Sequence, residues 1–175
     1  MINLGPLARS ISVAGLIVAA GTAAAPAFAG PAETALLKSY EGNWRGSGPL
    51  VGGDQENVTC RMSLRDGNDD KVNYNGRCAM AGLNLSINGT LAYIESSNRY
   101  EGAMTSNANF SGVAVGQKRG GGIVFNLTSR GMNDNKNIEI NAGITLTPGV
   151  ITVDFRARDI KTGKTVTATV PFARS

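Results

Sequence analysis

Cys60 and Cys78 are the only thiols in this chain, and it contains no histidine. Without an imidazole there is no Ser-His-Asp or Cys-His nucleophile, no His-based zinc site and no proximal-His haem site. The remaining chemistry rests on 13 Asp and Glu side chains, which leave glycosidase-type carboxylate pairs open in principle. DGNDD (66–70) resembles part of a calcium loop, but it lacks the alternating ligand spacing and the closing glutamate, so it reads as a hairpin turn. GQKRGGG (116–122) sets glycines beside basic residues with neither Walker spacing nor a following helix. The expectation is a protein that binds rather than catalyses, with no metal and no cofactor.

The two cysteines have a simpler use. RDGNDDK (65–71) is a strong turn cluster between strand-like segments at 57–65 and 71–79. A hairpin folded about Asp69 opposes Cys60 with Cys78, Met62 with Gly76 and Leu64 with Tyr74. Directly opposed residues are close enough for their sulfurs to bond. There is no C-x-x-C redox motif. The pair therefore reads as a structural disulfide stapling a hairpin over about 57–79.

Beyond Cys78 the chain alternates apolar and polar residues, the pattern of strands with one buried face. Leu83, Leu85 and Ile87 share a face; so do Ile123, Phe125 and Leu127. Ile138, Ile140, Ala142, Ile144 and Leu146 form the longest such series, followed by Ile151, Val153, Phe155 and Ala157, then Val166, Ala168, Val170 and Phe172. SNANF, KRGGG, TPG and KTGK mark turns between them, and Gly149 supplies the positive φ of a type II turn. A short helix is expected over about 32–40, with Leu36 and Leu37 as its apolar patch. Short connections make neighbouring strands antiparallel, and closure hides the edges. The fold class is all-β: a single antiparallel up-and-down barrel of about 8–10 strands, with a two-sheet sandwich as the alternative.

The first 29 residues read differently. Arg9 precedes an uncharged stretch, Ile11–Ala25, too short to span a bilayer, and APAFAG follows with small residues at Ala27 and Ala29. This is a secretory signal cut between Ala29 and Gly30, leaving 30–175 as one domain in the periplasm or outside the cell. The formal charge of +4 is mild and its basic residues are scattered, which argues against a nucleic-acid partner. Five Asn-x-Ser/Thr sequons, at Asn57, Asn84, Asn88, Asn109 and Asn126, fill polar strand faces.

The lone tryptophan sits in YEGNWRGSG (40–48), directly after the expected helix. A short helix followed by Gly-x-Trp at the first strand resembles the start of the calycin, or lipocalin-like, barrels. That resemblance implies that Gly42 and Trp44 plug one barrel end, with Arg174 of the last strand stacked on the indole in preference to Arg156 or Arg158. A guanidinium over an indole face contributes about 0.5–2 kcal/mol whatever the family. The early tryptophan and single disulfide also resemble bacterial inhibitors of serralysin-type metalloproteases. That likeness implies that Gly30 to Thr34 would enter a protease cleft.

The sequence thus points to an exported, non-catalytic β-barrel binding protein of the cell envelope. Its candidate ligand lining is Met62, Leu64, Tyr93, Tyr100, Met104, Phe110, Phe125 and Phe155, which suits a small apolar ligand. Arg45, Arg99, Lys118 and Arg119 are candidates to ring the mouth for an anionic headgroup. The alternatives are a periplasmic protease inhibitor, or an envelope protein with a packed core and a surface protein partner. A small outer-membrane barrel, apolar side outward, is the remaining reading.

Overall fold

Alternation along the chain becomes the inside and outside of a closed wall. The computed structural model describes residues 29–53, 56–80, 82–108, 110–130 and 138–175. The expected leader, apart from Ala29, therefore lies outside the described residues, as do Asn109 and residues 131–137. Helix α1 (Ala29–Lys38) leads into β1 (Gly42–Val51), β2 (Glu56–Asp66), β3 (Val72–Met80), β4 (Leu83–Ile94), β5 (Arg99–Ser106), β6 (Ser111–Arg119), β7 (Gly122–Arg130), β8 (Ile138–Thr147), β9 (Val150–Asp159) and β10 (Thr165–Arg174). Each strand pairs antiparallel with the next, and β10 returns to β1 to close an up-and-down barrel of ten strands. Closure removes every sheet edge and settles the choice against a sandwich.

The hairpin register is the one that the turn cluster predicts: Cys60 faces Cys78, Met62 faces Gly76 and Leu64 faces Tyr74. The two sulfurs lie 2.02 Å apart. Asp69 and Asp70 adopt positive φ at the tip of this hairpin, a conformation that Asp tolerates better than most residues. Gly149 does the same, at φ 80°, in the β8–β9 turn. In the β9–β10 turn the Asp159 carboxylate accepts the Lys161 and Thr162 backbone N–H groups; these bonds hold it below the usual Asp range despite an opposing desolvation effect.

Most apolar side chains of the strands point inward, and the outer wall is largely Asn, Thr, Ser and Arg, with Val113 and Val115 of β6 exposed among them. Asn57, Asn84, Asn88 and Asn126 all stand exposed on this outer face. A barrel spanning lipid has the reverse polarity, so the outer-membrane reading does not fit. Leu83 is an exception: it stands at the very start of β4 and is 69% exposed, where the alternation predicts the inward face. Its position beyond the end of the packed interior explains the difference.

Helix α1 begins about three residues earlier than expected. Pro31 falls in its first turn, where the missing N–H has no intrahelical partner. The helix ends before Tyr40, and Leu37 and Tyr40 are fully buried beneath the barrel. Lys38, in the last turn, reaches Asp66 and Asp70 at 3.1 Å each and ties the helix to the β2–β3 turn.

Candidate functional site

Among the described residues the barrel has a sealed end and an open one. At the sealed end Trp44 is 1% exposed, and its Nε1 donates to the Tyr40 carbonyl at 3.0 Å. The Arg174 guanidinium lies 4.8 Å from the indole centroid. It also donates to the carbonyls of Glu41 at 2.8 Å and Ser39 at 2.6 Å, both in the link between α1 and β1. Gly42 is required here twice over. Its φ is +145°, and a Cβ would stand 2.9 Å from Arg174 Nη1. The trio that the family resemblance picks out is thus assembled at one place, while Arg156 and Arg158 lie on the outer wall away from it.

Above this plate lies a packed layer. Leu64, Tyr100 and Phe125 are buried within it, with Tyr93 beside them; the Tyr93 and Tyr100 rings meet edge-on at 5.2 Å, and Tyr100 meets Phe125 at 6.2 Å. The Phe125 ring occupies space that only a glycine leaves, since a Cβ on Gly116 would sit 2.6 Å from it. The Tyr100 hydroxyl donates to the Glu33 carboxylate, which also accepts Lys118 at 2.8 Å. Burial alone would raise the Glu33 pKa, but the Lys118 and Tyr100 hydrogen bonds bring it below its ordinary value. Burial and the Glu33 hydrogen bond push the Tyr100 phenol well above its usual range. Four of the expected lining residues (Leu64, Tyr93, Tyr100 and Phe125) therefore build the floor instead of facing a ligand.

The other four do line a space. Met62, Met104, Phe110 and Phe155 border an apolar cavity of about 120 Å³ in the half of the barrel away from Trp44. Sequence reasoning missed Tyr74, Leu85, Ile87, Ile140, Ala142, Ile144 and Val153, which share its wall. Strand parity already turned most of these inward; the missing information was height along the strand. These missed residues are only partly buried although they face inward, and they come from β3–β4 and β8–β9, which stand opposite each other in the ring. Ten strands enclose a wider lumen than the eight that side chains just fill, so these facing walls do not meet.

The cavity offers almost nothing polar. Among the described lining residues Tyr74 carries the only hydroxyl, and that hydroxyl donates to the Ala103 carbonyl at 3.3 Å. Burial holds the phenol protonated far above its usual range. The two lining cysteines are spent on the disulfide. Such a wall binds by removing apolar surface from water, at about 0.8 kcal/mol for each methylene taken up.

Around the mouth the exposed side chains include Val51, Leu83 and Ile160. The basic residues expected there are elsewhere. Lys118 and Arg119 end β6 at the floor, Arg99 pairs with Glu101 at the floor end of β5, and Arg45 projects from the outer wall of β1. Gly30–Thr34, the segment that the inhibitor resemblance would send into a protease, forms the first turns of α1, with Gly30 buried and Glu33 ion-paired.

No protein-family model matches the chain, and no curated protein matches it. Among solved structures, Rv2717c from M. tuberculosis superposes with a TM-score of 0.63 at 14% identity, covering 83% of this chain and 98% of that one. The S-type phycobiliprotein lyase CPES from Guillardia theta superposes with a TM-score of 0.53 at 12% identity, covering 82% of this chain and 92% of that one. At these identities the likeness carries architecture alone: the chain folds as a calycin-like closed barrel.

Proposed function

We propose that the protein is a non-catalytic binding protein of the cell envelope that holds a small apolar ligand in the mouth-side half of its barrel. The observation that carries this reading is the apolar cavity of about 120 Å³, whose inward-facing walls on β3–β4 and β8–β9 are partly open to solvent. An engineered apolar cavity of similar scale, about 150 Å³, takes up benzene. The ligand that fits is therefore a single ring or the end of an alkyl chain, with any larger part protruding between Val51, Leu83 and Ile160. Export to an oxidising compartment is supported by the Cys60–Cys78 bond, since such bonds persist there. From its structural neighbours the reading takes the barrel alone.

A protease-inhibitor role needs Gly30–Thr34 free to enter a cleft. Their place in α1, anchored through Glu33, favours the lumen as the functional element. The test is a lipophilic fluorescent dye titrated into wild-type protein and into Ala142→Phe, which fills the cavity from β8. Wild type is expected to enhance the dye saturably, and the variant to lose at least tenfold in dye affinity with its unfolding midpoint retained. Equal enhancement by both proteins counts against the lumen.

A further inference from the structure

The outer wall of β1–β3 carries a feature that the lumen does not explain. Arg45 lies directly opposite Arg61, and Arg61 directly opposite Arg77. All three side chains are exposed. Opposed residues have Cβ atoms about 4.5–5.5 Å apart, so the row sets three guanidinium groups across about 10 Å of sheet. Among the described residues none of the three makes an ion pair or a hydrogen bond, whereas Arg65 bonds Asn43, Arg99 pairs with Glu101 and Arg174 bonds two carbonyls.

Like charges directly opposed destabilise a sheet. Here the disulfide holds them in place: Cys60 and Cys78 precede Arg61 and follow Arg77, so the bond inside the barrel fixes the register of the charges outside. Alongside the row, Asn43, Ser63, Asn75 and Ser175 join the arginines in walling a groove of about 330 Å³, and no Asp or Glu stands among its described lining residues. The groove thus combines unpaired forks with neutral hydrogen-bonding groups.

We propose that this wall binds a phosphate-bearing polyanion, one that presents two or more phosphoryl groups in line. The guanidinium fork matches phosphate geometry in a bidentate manner. A terminal phosphoryl group carries three acceptor oxygens and can take bonds from two adjacent arginines, whereas a carboxylate matches a single fork. The source is either a soluble polyphosphate-type anion or the headgroups of an anionic lipid.

The test is titration calorimetry of the oxidised protein at low ionic strength with tripolyphosphate and with orthophosphate. It is repeated on Arg61→Gln and on Arg156→Gln, an exposed arginine of β9 outside the row. Tripolyphosphate is expected to bind at least tenfold tighter than orthophosphate, and Arg61→Gln to weaken it about tenfold. Arg156→Gln should leave it unchanged. Arg61→Gln should also melt no lower than wild type, because it relieves a repulsion. Capture by phosphatidylglycerol vesicles that depends on Arg61 assigns the headgroup source; tripolyphosphate binding without vesicle capture assigns the soluble one. No binding of tripolyphosphate, equal affinity for the two phosphates, or equal weakening by the two substitutions overturns the proposal.

Discussion

Trp44 and Arg174 are register partners across the seam where β1 meets β10, and the guanidinium lies 4.8 Å from the indole centroid. The last strand thus locks onto the first at the point where the barrel closes. Through Glu41 and Ser39 the same guanidinium fixes the link to α1. One side chain joins closure of the wall, sealing of the floor and anchoring of the helix.

Arg174→Ala should therefore lower stability by about 2 kcal/mol, combining a cation–π contact of an exposed guanidinium with two charge-assisted hydrogen bonds. Arg174→Lys, which keeps the charge but not the fork, should recover less than half. Denaturant unfolding followed by Trp44 fluorescence measures both. A loss under 0.5 kcal/mol for the alanine variant, on the order of an ordinary surface substitution, contradicts the role given to this pair.

Reduction of the Cys60–Cys78 bond, or the double substitution to alanine, should cost about 3 kcal/mol for a loop of this size in the chain-entropy model. The barrel is expected to stay folded, because both residues sit on strands paired along their whole length. Thermal unfolding with and without reductant gives the difference.

Glu33 gives the floor a pH dependence. Burial raises its pKa, and the bonds from Lys118 and Tyr100 outweigh that, leaving the folded value below the ordinary 4.5. The unfolded chain then binds the proton more readily. The contribution is present in full above about pH 4.5 and is lost as pH falls through the folded value. Glu33→Gln should cost about 1 kcal/mol at pH 7, since Lys118 is half-exposed and screened. Its unfolding midpoint should converge with that of wild type as pH falls through the folded value. Parallel unfolding curves at all pH values contradict this account.

Most of the wall was legible in the sequence. The Asp69-centred hairpin, the inward series from Ile138 to Leu146 and the Gly149 turn all follow from period two and turn chemistry. These are local signals, and a strand's register across a tight turn is a local property too. The cavity lining was half legible, for a physical reason. Parity decides whether Phe125 or Ala142 points inward, but not how far each stands from Trp44. That height depends on how ten strands stagger on closure, a property of the whole ring. Choosing aromatics and methionines named Met62, Met104, Phe110 and Phe155, which border the cavity, and it also drew in Tyr100 and Phe125, whose bulk the floor uses. The row of Arg45, Arg61 and Arg77 has no signal in any one strand, since it exists only across two registers.

The most direct test of the ligand-holding lumen is native mass spectrometry of protein folded in its own compartment, compared with the same sample denatured. The account predicts added mass in the folded sample that leaves on unfolding and belongs to a small apolar compound. A folded protein at its bare mass, with nothing to release, contradicts it.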